Sequence, residues 1–240
     1  MSKPLDAIFF DIDDTLFSTT VFADKARRAA IDAMIRAGLR ADRTDALREL
    51  DEVLTEFSSN YGGHFDKVLD RLPPEASEGL NKAVIVAAGV VAYHETKWHE
   101  LQAHDDVYEV LKWMATTRLI RGIISAGITI KQAEKLVRLK LVEFMTPSAI
   151  FFTDQVGFSK PNSKLYRRVL HLLRLEPARC VYVGDNPTHD IDPCNREGWH
   201  TVRVRRSGRH ADEQGETRPS FEIRDFYELR RILQDEFAIR

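Results

Sequence analysis

Three aspartates follow directly on an apolar run in Ala7-Ile8-Phe9-Phe10-Asp11-Ile12-Asp13-Asp14-Thr15. The apolar residues have the length and side-chain types of a buried strand, and a parallel strand covered on both faces is apolar throughout. An unpaired carboxylate cannot continue into such a core, so the chain must emerge at Asp11. Alternation along an extended backbone turns Asp11 and Asp13 to one side and Ile12 to the other. Two carboxylates aimed at one point repel each other unless a cation, a shared proton or a basic group lies between them. A strand ending in a plain acidic turn would look the same locally, so the other strand ends decide.

Three more apolar runs end in polar groups. Ile123-Ile124 runs into Ser125-Ala126-Gly127, a hydroxyl with small neighbours whose backbone N–H groups could approach an anion. Lys160 stands before Pro161, a residue suited to the first turn of a helix, so Lys160 should point back toward the strand ends. Val181-Tyr182-Val183 runs straight into Gly184-Asp185, with Asp190 five residues on. Each has an ordinary reading as well: Ser125 as a helix cap, Lys160 as a solvated lysine, Asp190 as an acidic residue at a helix start. Together they offer carboxylates, a hydroxyl and a lysine to one edge of one sheet, which is the chemistry of Mg²⁺-assisted phosphoryl transfer.

The elements that must position these groups are of two kinds. Residues 20–97 carry helical spacing only: an alanine-rich helix ending near Gly38, a second through Leu47, Leu50, Val53 and Leu54, a short third through Phe65, Val68 and Leu69, and a fourth over about 75–97. Its run from Ala83 to Tyr93 is too short to span a bilayer and reads as a buried helix. Strands alternate with helices elsewhere, with strand candidates at 5–10, 119–125, 149–153, 180–183 and 201–204, and an exposed loop at 206–220. The fold class expected is α/β, a Rossmann-like parallel-sheet core (residues 1–18 and 99–240) interrupted by an all-α, four-helix cap (19–98). Trp98, His99 and His104 fall at the rejoining point and read as packing or hinge residues.

The 240 residues are 43% hydrophobic and 30% charged with net charge −2, which fits a soluble globular protein and gives no basic excess for nucleic acid. Cys180 and Cys194 lack metal-ligand spacing and suit a reducing, cytoplasmic setting. Asp6 interrupts the N-terminal apolar run, so no signal peptide and no membrane partner are expected. Monomer and homodimer are both open.

The four strand-end motifs, in this order, resemble those of the haloacid dehalogenase-like hydrolase superfamily, and the helical insertion resembles its small α-helical cap. The wording at residues 24–28 and 64–66 resembles a prokaryotic branch of predicted hydrolases to which glyceraldehyde 3-phosphate and phosphoglycolate phosphatases are assigned. The resemblance implies Asp11 as nucleophile, Asp13 as general acid and base, Ser125, Ala126 and Lys160 as phosphate ligands, and Asp190 as their support. It implies Mg²⁺ held by Asp11, Asp185 and the main-chain carbonyl of Asp13, and a small phosphorylated metabolite as substrate. Many relatives have Asn where Ala126 stands, so here backbone N–H groups of Ala126 and Gly127 would have to serve. The family's dehalogenases carry Tyr at the position of Asp13, and its sugar phosphomutases a His soon after the aspartate pair, where the first His here is His64. A phospho-ligand binding protein on the same fold is the non-enzyme alternative. Substrate choice should lie in the helical block, where the turn Tyr61-Gly62-Gly63-His64 could offer Tyr61 and His64 to the leaving group.

Overall fold

The strand β1 (Ala7–Phe10) is wholly buried on both faces and is central to a six-stranded parallel sheet of order β3-β2-β1-β4-β5-β6. Its neighbours are β2 (Ile120–Ser125) and β4 (Cys180–Gly184), and the outer strands are β3 (Ile150–Phe152), β5 (His200–Val204) and β6 (Phe221–Ile223). The register sets Phe10 opposite Ile123 on one side and Val183 on the other. The carboxyl ends of three strands therefore come close to level, with Ser125 and Asp185 one residue beyond the level of Asp11. Strand order reverses between β1 and β4, the crevice where open α/β sheets bind ligands. The computed structural model describes residues 3–57, 61–206 and 208–240.

Helices cover both faces of the sheet, as apolar-throughout strands require. Phe9 and Tyr182 pack with Leu165, Tyr166 and Val169 of α8 (Ser163–Leu173) and with Trp199. Phe10 stacks on Phe226 of α10 (Phe226–Asp235), which packs beside α5 (Asp105–Met114) on the opposite face. The remaining helices of this unit are α6 (Thr129–Arg138), the single turn α7 (Thr153–Val156), and α9 (Asp192–Arg196), which continues a wide helical turn at Pro187–Ile191. Among the described residues no helix is long and apolar enough to cross a membrane.

The chain divides into two compact units, residues 1–20 with 102–240, and residues 21–101. The boundary lies two or three residues beyond the one expected from sequence. The second unit consists of α1 (Thr19–Arg36, beginning two residues earlier), α2 (Arg43–Phe57), α3 (His64–Arg71) and α4 (Lys82–Glu100). Its core is Ile31, Met34, Leu50, Val53, Val68, Leu69 and Ile85 with smaller residues between.

Four details depart from the sequence reading. The run Ala83–Tyr93 is not a buried helix: in α4 only Ile85 and Gly89 are buried, while Val84 and Val91 are 58% and 54% exposed. The buried stripe is narrow, and at Gly89 it lies against Met34 and Phe65. Trp98, read as a packing or hinge residue, is 67% exposed. The helix expected from Pro161 starts at Ser163, because Asn162 takes the capping role by accepting from the Lys164 N–H. β6, three residues long, follows the polar loop as an additional edge strand.

Candidate active site

The backbone of Asp11 still belongs to the sheet: its N–H donates to the Val183 carbonyl at 2.9 Å. Immediately afterwards the chain turns, with Asp14 in the left-handed region at φ 52° and the Leu16 N–H donating to Ile12 O at 3.0 Å. Ile12 is buried beneath while the Asp11 side chain stays at the sheet edge.

Asp11, Asp185 and Asp190 each bring a carboxylate oxygen to within 4.8 Å of one another. Into this cluster reaches Lys160, whose side chain is 4% exposed; its Nζ donates to Asp11 Oδ1 at 2.6 Å and to Asp190 Oδ1 at 2.7 Å. The ammonium also lies 5.3 Å from the centre of the Tyr182 ring. Asp190 is held in turn: its Oδ2 accepts from the Asn186 N–H, and the Tyr182 hydroxyl, which donates to Ile124 O at 2.8 Å, is 3.3 Å from its Oδ1. The Tyr166 hydroxyl donates to the His189 carbonyl and pins the turn that carries Asp190.

One buried cation does not balance three carboxylates. Burial, opposed by Lys160 and reinforced by Asp190 and Asp13, pushes Asp11 up to about 6. Burial, with Asp190, Asp11 and Asp14 adding repulsion, pushes Asp185 up to about 9. Burial alone would lower Lys160, but Asp11 and Asp190 outweigh it and hold the amine well above its ordinary value. A hard divalent cation is what such an oxygen-only set, short of positive charge, accommodates.

Asp13 stands apart from this cluster. Its carboxylate accepts from Thr19 Oγ1 at 2.8 Å, from Lys135 Nζ at 2.6 Å on both oxygens, and from Gln132 Nε2 at 3.4 Å. Lys135 and Gln132, one turn apart on α6, were not singled out by the sequence reading. The only signal for them is register: both lie on the face of the first helix after Ser125 that looks back to the sheet edge. Ser125 is buried and its hydroxyl donates to Gln132 Oε1 at 3.5 Å, the limit of a hydrogen bond. Ala126 gives its carbonyl to Gln132 Nε2, and the Gly127 N–H, expected to face an anion, donates to Thr153 Oγ1 at 3.3 Å. Tyr61 and His64 belong to the helical unit, where Tyr61 stacks on Phe57 and meets the His64 ring edge-on.

Gly184 is where backbone must leave room. A Cβ there would lie 2.4 Å from Asp190 Oδ2 and 2.7 Å from its Cβ. Gly184→Ala therefore displaces Asp190 and loosens Lys160. We expect kcat/KM to fall on the order of a hundredfold, with a stability loss of about 1–3 kcal/mol by thermal melting. An unchanged rate would separate Asp190 from the work of Lys160.

Residues 5–198 match the family described as haloacid dehalogenase-like hydrolase. The glyceraldehyde 3-phosphate phosphatase of Methanopyrus kandleri is 38% identical over 224 residues, 91% of this chain and 93% of that protein. Its counterpart from Methanocaldococcus jannaschii is 32% identical over 231 residues, 96% and 98% of the two chains. Among solved structures, a HAD phosphatase from Thermococcus onnurineus is similar with a TM-score of 0.65 at 25% identity, covering 97% of this chain and all of the other. A haloacid dehalogenase-like family hydrolase from Xanthomonas campestris shares the fold with a TM-score of 0.67 at 19% identity, covering 98% and 97%. The strand-end carboxylates and the buried lysine thus stand in a chain that belongs to the haloacid dehalogenase-like hydrolase family.

Proposed function

We propose that this phosphoric monoester hydrolase cleaves a small phosphorylated metabolite, with Mg²⁺ and through a phosphorylated Asp11. The observation that carries the reading is the clamp of Lys160 between Asp11 and Asp190 inside a three-carboxylate cluster. In this reading an Asp11 oxygen attacks phosphorus, the new O–P bond forms as the ester O–P bond breaks, and Asp13 gives a proton to the departing oxygen. Asp13 then takes a proton from water, whose oxygen bonds to phosphorus as the Asp11–phosphorus bond opens. Ser125 and Lys160 hold the phosphoryl oxygens, and Asp190 keeps Lys160 in place. Asp11, Asp185 and the Asp13 carbonyl would hold Mg²⁺, which supplies the positive charge that lets a carboxylate approach a phosphate dianion. The helical unit, residues 21–101, serves as the cap that selects the leaving group. The relatives' names favour a three-carbon phosphate such as glyceraldehyde 3-phosphate.

The test is hydrolysis of p-nitrophenyl phosphate and of a panel of metabolite phosphates, with Mg²⁺ and with EDTA. We expect turnover with Mg²⁺ and a loss on the order of a thousandfold or more with EDTA. Metal-independent turnover, or none on any phosphate, overturns the reading. Binding of Mg²⁺ at about a hundred times its Kd should also raise the melting temperature by on the order of 5 °C. The gain should be larger at pH 9 than at pH 6, because the cation competes with protons for Asp185 and Asp11.

A further inference from the structure

We propose that Lys135 is a substrate-binding residue, selecting phosphate esters whose leaving group carries a carboxylate or carbonyl oxygen three or four bonds from the ester oxygen. This rests on the reading of Asp13 as the group that hands a proton to that ester oxygen. Whatever touches the Asp13 carboxylate from outside is then beside the leaving group, and Lys135 Nζ lies 2.6 Å from both of its oxygens. The lysine is built in: it rises from the last turn of α6, its ammonium lies 5.9 Å from the centre of the Phe17 ring, and its side chain is 18% exposed, so it still reaches solvent.

Orientation of Asp13 does not need this charge. Thr19 and Gln132 already donate to the two oxygens from two different elements, and both are neutral. A third donor with a full positive charge can in addition serve a negative or carbonyl oxygen that arrives with the substrate. An ammonium has three N–H groups, of which the Asp13 carboxylate takes two. Lys160 is no substitute, since both of its carboxylate partners lie in the phosphate cluster. The site thus has two ammonium groups with separate tasks, one for the phosphoryl group and one for what departs from it.

The experiment compares kcat/KM for 2-phosphoglycolate, glyceraldehyde 3-phosphate and n-propyl phosphate, with Mg²⁺, in the wild type and in Lys135→Met and Lys135→Gln. A charge-assisted contact of ordinary strength is lost in both variants. We expect the first two substrates to fall on the order of 50-fold, with KM carrying most of the loss, and n-propyl phosphate to fall about fivefold. Lys135→Arg should regain most of the loss. Lys135→Gln keeps a hydrogen-bond donor and serves if Lys135→Met does not fold. Equal losses on all three substrates overturn the inference and reduce Lys135 to a support for Asp13, with the phosphatase reading intact. A wild type that cleaves none of the three yet hydrolyses p-nitrophenyl phosphate overturns the inference alone.

Discussion

Asp11→Asn should leave a folded protein whose turnover of any phosphate ester is lower by about four orders of magnitude or more. An amide has no anionic oxygen to bond to phosphorus, and neither Asp13, held by α6, nor Asp185 stands where Lys160 clamps Asp11. Stability should move the other way. Burial holds Asp11 above its ordinary value and Asp190 and Asp13 repel it, so removing its charge relieves more than the lost pairing with Lys160 costs. Without metal at pH 8, the variant should melt at or above the wild type. Turnover within tenfold of the wild type would show that a water molecule, not Asp11, attacks phosphorus. A strong loss of stability would show that the Lys160 pair outweighs the crowding.

Lys160→Met should be the most damaging exchange for the fold of the site. It takes away a cation in contact with both Asp11 and Asp190 and leaves three carboxylates in a largely buried cluster. Breaking a buried pair costs about 3–5 kcal/mol, or on the order of 10 °C for a domain of this size. Loss of a phosphate ligand should lower turnover about a thousandfold. The stability loss should depend on pH with a definite sign. Asp11 and Asp185 have folded-state values raised above the ordinary 3.8, to about 6 and about 9. For a raised carboxylate the destabilisation is present at high pH and disappears as falling pH puts the proton back. Lys160 opposes both shifts, so its removal raises both groups further. Metal-free Lys160→Met should therefore approach the wild type between pH 8 and pH 5 in melting temperature. A gap that is the same at every pH would mean that Lys160 matters for packing alone.

Residues that interrupt an apolar run were legible in the sequence, since a carboxylate or lysine at the end of a buried strand has few structural uses. Asp11, Ser125 and Asp185 were singled out in this way, Lys160 from its place before Pro161, and the structure draws Asp11, Lys160, Asp185 and Asp190 together. Lys135 and Gln132 were not found, because a polar pair one turn apart on an amphipathic helix looks like any solvated face. Only their hydrogen bonds to Asp13 distinguish them. The alternation of strands and helices gave the parallel sheet, whereas β6 escaped because Phe221-Glu222-Ile223 is short and follows a polar loop. The burial of α4 was overestimated, because composition shows that a helix is apolar but not how many neighbours it has. Gly127 was expected to turn its N–H to an anion; Thr153, remote in sequence, takes that donor instead.

The placement of the opening strand in the middle of the sheet has a consequence for how the protein is made. Ala7 finds its two neighbours at Ile120 and Cys180, so β1 must wait for the synthesis of both later strands before it is paired. The helices of residues 21–101 are complete long before that and meet mostly one another. During this interval Ala-Ile-Phe-Phe is an unpaired, sticky segment of the kind that chaperones recognise. Asp6 flanks it on one side and Asp11 on the other, so a residue that would later do chemistry also helps to keep the nascent chain in solution.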